Sequence, residues 1–216
     1  MGIIWQYSNE LVDYDDALKQ MEKTVHSIIA GTTEEKVWLL EHNSVYTAGS
    51  SASEAELLDK DRFPVYQPGR GGKYTYHGPG QRVAYFMLDL KKRFAPDVPD
   101  LKKYIWFLEQ LIIETLREFD VESERRKDRI GIWVSTNKGE KKIASIGIRV
   151  KKWVAYHGVA INIAPNLSHF EGIIPCGITD YAVTSLEDLD KKIDMVYFDK
   201  VLRKNFNSIF GNIKCF

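Results

Sequence analysis

The chain has 216 residues, 44% of them apolar and 28% charged, with thirty Lys and Arg balancing thirty Asp and Glu. That length supports a substantial core, and zero net charge leaves no long-range positive field of the kind a general nucleic-acid binder uses. Two cysteines are too few for a disulfide framework, no window is apolar enough to span a membrane, and no leader pattern opens the chain, so a cytoplasmic protein with free thiols is expected.

In chain order, residues 3–7 read as a strand. Leu11, Tyr14, Leu18, Met21, Val25, Ile28 and Ile29 then recur at helical spacing until Gly31 ends the run. Residues 36–42 and 83–90 read as strands, separated by a Gly- and Pro-rich stretch. Asp100 is placed to cap a second helix carrying Leu101, Ile105, Leu108, Ile112 and Leu116 on one face. Residues 129–134, 142–150 and 153–163 follow as strands. Asn137-Lys138-Gly139 reads as a hairpin turn and Lys151-Lys152 as a tight connection. A third helix is expected over roughly 197–210. Adjacent antiparallel strands between long helices imply a mixed α/β (α+β) domain with a largely antiparallel sheet, not a doubly wound one. No linker or repeat interrupts residues 1–216, so a single domain is expected, with room for a small cap after about residue 184.

Residues 69–81 read Gly-Arg-Gly-Gly-Lys-Tyr-Thr-Tyr-His-Gly-Pro-Gly-Gln. Six glycines and prolines in thirteen positions rule out a helix or an uninterrupted strand, and they let backbone approach a ligand closely. Arg70, Lys73 and His77 lie among them. The ending of a Walker loop is missing, and so is the dinucleotide fingerprint. A second feature is Lys142, which shares strand parity with Ala144, Ile146, Ile148 and Val150, while Lys141 points the other way. Parity alone is also compatible with a frayed strand end whose lysine reaches water. A third is Cys176, between Pro175 and Gly177. A free cysteine is most often a small buried hydrophobe, and a nucleophilic one needs a cation or dipole to favour thiolate. The basic runs Lys91-Lys92-Arg93, Arg125-Arg126-Lys127 and Lys151-Lys152 read as solvated faces, or as contacts for an acidic partner.

Arg70 to Gln81 resembles the signature of the lipoyl(octanoyl) transferases, Arg-Gly-Gly-x-x-Thr-x-His-Gly-Pro-Gly-Gln. The segments Lys142-Ile-Ala-Ser-Ile-Gly147, His157-Gly-Val-Ala-Ile-Asn162 and Pro175-Cys-Gly177 are similar to further motifs of the same family, in the same order. The resemblance implies the fold of biotin and lipoate protein ligases and an acyltransferase that needs neither metal nor cofactor. Cys176 would be the nucleophile that accepts an octanoyl group from octanoyl-acyl carrier protein, with Lys142 holding it as thiolate. The acceptors would be lysines on lipoyl domains of 2-oxoacid dehydrogenase E2 subunits and on the glycine-cleavage H protein. By the same resemblance the acyl slot is walled by Arg70, Gly71, Gly72, Lys73, Tyr74, Thr75, Tyr76 and His77, by Ser145, Ile146 and Gly147, and by Gly158, Val159 and Ala160. The row 83–90 is a candidate floor. His77 is assigned to substrate positioning, because the lysine already accounts for the proton transfers. Gly147 and Gly158 mark segments able to offer oxyanion donors. A monomer is expected, without nucleic-acid or membrane partners. Rival readings are an ATP-dependent ligase on the same fold, a thiol hydrolase pairing Cys176 with His77 or His157, and a carrier-binding module in which Cys176 is core.

Overall fold

The computed structural model describes residues 2–127, 129–174 and 182–211. After β1 (Ile3–Tyr7), the Asp13 carboxylate accepts from the N–H groups of Asp15 at 2.8 Å and Asp16 at 3.3 Å and so caps α1 (Tyr14–Ala30). Gly31 closes that helix in the left-handed region at φ 73°, where its N–H reaches the Ile28 carbonyl. Leu11 therefore lies before the helix, 45% exposed. Next come β2 (Glu35–Leu40), β3 (Val45–Ala48), β4 (Val65–Tyr66), β5 (Tyr74–His77) and β6 (Gln81–Asp89). A short α2 (Leu90–Phe94) leads to α3 (Leu101–Arg117), which Asp100 caps as its position implies. Then β7 (Glu124–Arg126), β8 (Arg129–Thr136), β9 (Gly139–Lys151) and β10 (Val154–Asn162) run back and forth. β11 (Ala182–Val183) and α4 (Met195–Gly211) complete the described chain.

The main sheet has the order β1-β2-β6-β10-β9-β8-β7, with β11 beside β9. Only the β1–β2 and β11–β9 pairs are parallel. Both faces are covered, and strand alternation sorts the residues between them. Val37, Leu39, Ala84, Phe86, Val159 and Ile161 pack with α3 and α4 in the larger core. Their neighbours Trp38, Leu40, Val83, Tyr85 and Ala160 pack with α1. A second, three-stranded sheet, β4-β3-β5, folds over Tyr46, Tyr74, Tyr76, Phe170 and Ile173. None of its strands is evident from sequence alternation, because each is four residues or fewer.

The β8–β9 hairpin closes on the Thr136–Gly139 pair, around the expected Asn137-Lys138 turn. The next turn lies one residue later than the sequence implies. Lys152 and Trp153 occupy it at φ 49° and 69°, and Lys151 stays in β9 opposite Val154. Two of the basic runs are partly internal. Arg93 bonds Glu35 at 2.5 Å, both almost fully buried, and Arg126 is held by Glu124 and Glu140. Charge that looks like a solvated face in sequence is here spent on joining elements.

Candidate active site

A cavity of about 450 Å³ opens between the Gly-rich segment and the centre of β9 and β10. It is lined by Arg70, Gly71, Gly72, Lys73, Tyr74, Thr75 and His77, by Lys142, Ser145, Ile146 and Gly147, and by Gly158, Val159 and Ala160. Val83 and Tyr85 of the expected floor also line it. Tyr76 does not. Alternation along β5 turns its ring into the core beneath the small sheet, where its hydroxyl meets Ser44 at 3.0 Å and His169 at 2.8 Å. Cys176 lies outside the described residues, as do Pro175 and Gly177.

Lys142 is 5% exposed and stands within β9, not at its frayed end. Its ammonium donates to the Ile130 carbonyl at 3.0 Å and sits 5.3 Å from the centre of the Trp133 ring. A carbonyl and an aromatic face both favour a desolvated cation. The strand geometry makes room for it. Between the pairs Ile132–Ala144 and Trp133–Lys142 the register slips by one residue, a bulge that re-aims the side chains around it. Gly131, at φ 129°, lies under the lysine stem: a Cβ there would be 2.4 Å from Lys142 Cε and 2.8 Å from the Ala144 carbonyl oxygen. Sequence reading missed Gly131, Ile130 and Trp133. A glycine inside a strand was the available signal, since it marks a bulge or a close approach.

β11 resumes the chain beside this lysine. Val183 pairs with Lys142, and the Thr184 N–H donates to the Lys142 carbonyl at 2.9 Å. On the other side of residues 175–181, the Ile174 N–H is bonded to the Glu56 carbonyl at 2.7 Å. Glu56 in turn forms an ion pair with Lys73 of the Gly-rich segment.

The Gly-rich segment is pinned to β9. The Gly71 N–H donates to the Ile148 carbonyl, and Gly147 leaves space for the Arg70 stem, which a Cβ would meet at 2.8 Å. Arg70 is 7% exposed, with one nitrogen donating to the Thr47 carbonyl and hydroxyl at 2.8 and 2.6 Å and the other to the Gly71 carbonyl at 2.9 Å. It therefore braces the loop on β3. Gly147 and Gly158 face each other across the β9–β10 ladder, and both line the cavity.

The end of the cavity away from Lys142 is built from Tyr14, His77, Tyr85 and His157, backed by His42. His42 Nδ1 donates to the Val12 carbonyl at 2.8 Å, so its Nε2 accepts from the Tyr85 hydroxyl at 2.7 Å. Gln81 uses its amide nitrogen on Asn162 and on the Tyr76 carbonyl. Its oxygen is thus left to accept from His77 Nδ1 at 2.7 Å. Burial pushes His42 down to about 4 and His157 to about 3; burial, with His42 and Arg70 nearby, pushes His77 well below the usual imidazole range. Burial pushes the Tyr14 hydroxyl up to about 12 against the opposing influence of Arg70. All three imidazoles are neutral at pH 7. Lys142 is the cation this cavity offers at the β11 end. Among the described residues no cluster of His, Cys, Asp and Glu is arranged for a metal.

A family pattern described as the lipoyl protein ligase A/B catalytic domain matches residues 13–207. An octanoyltransferase of Parvibaculum lavamentivorans is 53% identical over 211 residues, covering 96% of this chain and 92% of its own. One from Wolbachia pipientis is 51% identical over 206 residues, covering 95% and 98%. Among solved structures, a bipartite lipoate protein ligase from Thermoplasma acidophilum matches with a TM-score of 0.71 at 12% identity, over 97% of this chain and 85% of that one. A biotin protein ligase from Aquifex aeolicus matches with a TM-score of 0.54 at 15% identity, over 98% and 70%. At these identities the structural likeness is one of fold, and it is the ligase-like fold that the motifs imply.

Proposed function

Because this chain belongs to the octanoyltransferase family and is therefore an acyltransferase, we propose that it moves an octanoyl group from octanoyl-acyl carrier protein, through a thioester on Cys176, to lysines of lipoyl domains. The acceptors in this reading are the E2 subunits of 2-oxoacid dehydrogenases and the glycine-cleavage H protein, at the first step of endogenous protein lipoylation. The observation that carries it is a buried lysine at one end of a mostly apolar cavity, in ladder register with the strand that follows the Pro175-Cys176-Gly177 motif by a few residues.

The chemistry balances without a further reactant. The Cys176 thiolate attacks the donor thioester carbon, a C–S bond forms, and the carrier thiolate leaves and takes a proton. An acceptor amine then attacks the new thioester, its nitrogen gives up a proton, and Cys176 departs as thiolate. Lys142 is assigned to hold the thiolate by its charge and to relay these protons. Backbone donors around Gly147 and Gly158 are assigned to the tetrahedral oxyanion. Thioester exchange is nearly isoenergetic and amide formation is downhill, so ATP has no role. Six buried methylenes of the octanoyl chain contribute on the order of 5 kcal/mol at about 0.8 kcal/mol each, enough to hold the intermediate without a polar contact along the chain. The single catalytic domain acts as a cytoplasmic monomer in this reading. No helix among the described residues is long and apolar enough to cross a membrane.

Intact mass spectrometry of the protein mixed with octanoyl-acyl carrier protein, without ATP or acceptor, is the test. A gain of one octanoyl group that disappears in Cys176→Ser supports the proposal. No adduct from a fully loaded donor on folded protein sinks it and favours the ATP-dependent or binding readings.

A further inference from the structure

The cavity is closed at one end and reaches the surface beside Lys142. Tyr14, His77, Tyr85 and His157 are all buried, so the end they build is shut. Ile130, whose carbonyl holds the Lys142 ammonium, also lines the cavity and is 52% exposed. Leu101 and Ile105 of α3 line it too, the first exposed and the second half-buried. The Glu109 carboxylate accepts from the Gly131 N–H, which draws α3 against β8 one turn beyond Ile105. These three side chains give the reactive end of the cavity an apolar rim.

The outward flank of α3 extends that rim. Trp106 is 41% exposed, with the Arg125 guanidinium over its ring at 4.7 Å, and Val98 just ahead of the helix is 81% exposed. Lys102, Lys103, Trp106 and Phe107 line an open groove on the same helix. Lys102 lies three residues before Ile105 and four before Trp106, so helical spacing sets it between the rim and the groove. Lys102, Lys103, Arg125 and the exposed Lys127 border this surface. Acids alongside are mostly engaged within the chain: Asp100 caps α3, Glu109 pairs with Arg125 and Glu124 with Arg126, while Asp97 stays exposed. Exposed apolar surface next to a site marks a place of interaction, and Trp and Arg are the residues that anchor interfaces.

An acyl chain brought by a protein enters this cavity methyl first and leaves its thioester at the open end, with the carrier outside. Apolar side chains at the rim favour passage of that chain, whereas an acceptor brings only an amine. We propose that the outward face of α3 around Trp106, with Lys102, Lys103 and Arg125, is the docking surface for an acidic acyl carrier protein that presents the octanoyl thioester to the cavity. Opposite charge steers the carrier onto this face, and Trp106 anchors it beside the mouth. The inference rests on the octanoyl-transfer reading and deepens it, by naming where the donor sits.

Two variants test it, Trp106→Ala and Lys102→Glu, both at side chains outside the cavity lining. KM is measured for octanoyl-acyl carrier protein and for a carrier-free donor, octanoyl-N-acetylcysteamine, at one saturating lipoyl domain. Fluorescence anisotropy of a labelled octanoyl-acyl carrier protein gives the Kd directly. Trp106→Ala should raise KM and Kd for the carrier-borne donor about tenfold. Lys102→Glu should raise them about threefold, and more at low salt. Values for the carrier-free donor should stay within about twofold of native. The proposal falls if Kd for the carrier is unchanged in both variants, or if both donors lose equally. It falls as well if only the KM of the lipoyl domain rises, which would assign this face to the acceptor. Native protein that binds the carrier but takes no octanoyl group from it would overturn the transferase reading itself and leave the docking surface standing.

Discussion

Gly131→Ala places a methyl group directly against the lysine assigned to the chemistry. The new Cβ would lie 2.4 Å from Lys142 Cε, 3.0 Å from Nζ and 2.8 Å from the Ala144 carbonyl oxygen. Non-bonded carbons settle near 3.5–4.0 Å, so the lysine stem must move by about 1 Å or more. The backbone carbonyl cannot yield without opening the β8–β9 ladder. Alanine at φ 129° adds strain of about 1–3 kcal/mol, and displacing the ammonium from the Ile130 carbonyl forfeits a charged hydrogen bond worth about 1.5–3 kcal/mol. Stability should therefore drop by about 2.5–6 kcal/mol, or about 5–24 °C in Tm for a chain of this size. A misplacement of about 1 Å at a reacting group costs on the order of a hundredfold in rate, so kcat for octanoyl transfer should fall by about that factor while KM for the donor changes little. Single-turnover transfer at a temperature where both proteins are folded separates the two effects. The double variant Gly131→Ala, Lys142→Ala adds a sharper check. If Gly131 acts through the lysine, Gly131→Ala adds almost nothing to the loss that Lys142→Ala causes alone. Additive losses, or native kcat in Gly131→Ala, would refute the reasoning.

Cys176→Ala should abolish transfer with the fold preserved, as read by product mass and circular dichroism; retained transfer would end the covalent mechanism. Lys142→Ala should slow alkylation of Cys176 by iodoacetamide at pH 7, and an unchanged rate would remove the lysine as activator. Acid should destabilise the protein through its buried histidines. His42, His77 and His157 have folded pKa values below the unfolded 6.5, so each takes up a proton on unfolding as pH falls below that value. Asp199, raised to about 6 by burial despite Arg82 at 3.0 Å, opposes them by releasing one between about pH 6 and 4. Uptake by three imidazoles outweighs the release from Asp199, so stability should fall as pH drops from about 6 to 4. Denaturant midpoints that stay level across that window would show the imidazoles are not buried neutral.

Much of this protein is legible along the chain because the signals are local. Asp13, Gly31 and Asp100 mark helix ends through hydrogen bonds to residues a few positions away. The alternation in 37–40 and 83–88 sorts side chains between two cores because a strand has a period of two. The same parity put Lys142 among apolar neighbours, and the spacing of the four motifs pointed to the family. Other features depend on which distant residues meet. The far end of the cavity joins residues 14, 42, 77, 85 and 157, and their neutrality follows from burial that no short window contains. Tyr76 belongs to a motif yet faces away from the cavity, because β5 pairs with β3 and turns alternate residues into a separate core. The slip between β8 and β9 is a property of two strands together, and only that slip sets Gly131 under Lys142. Sequence by itself determined the elements, the chemistry on offer and the family, since neighbours in the chain carry those signals. Tertiary structure alone decided which groups lost their water and which side chain was given room beside them, since burial and register are set by contacts between strands far apart in the chain.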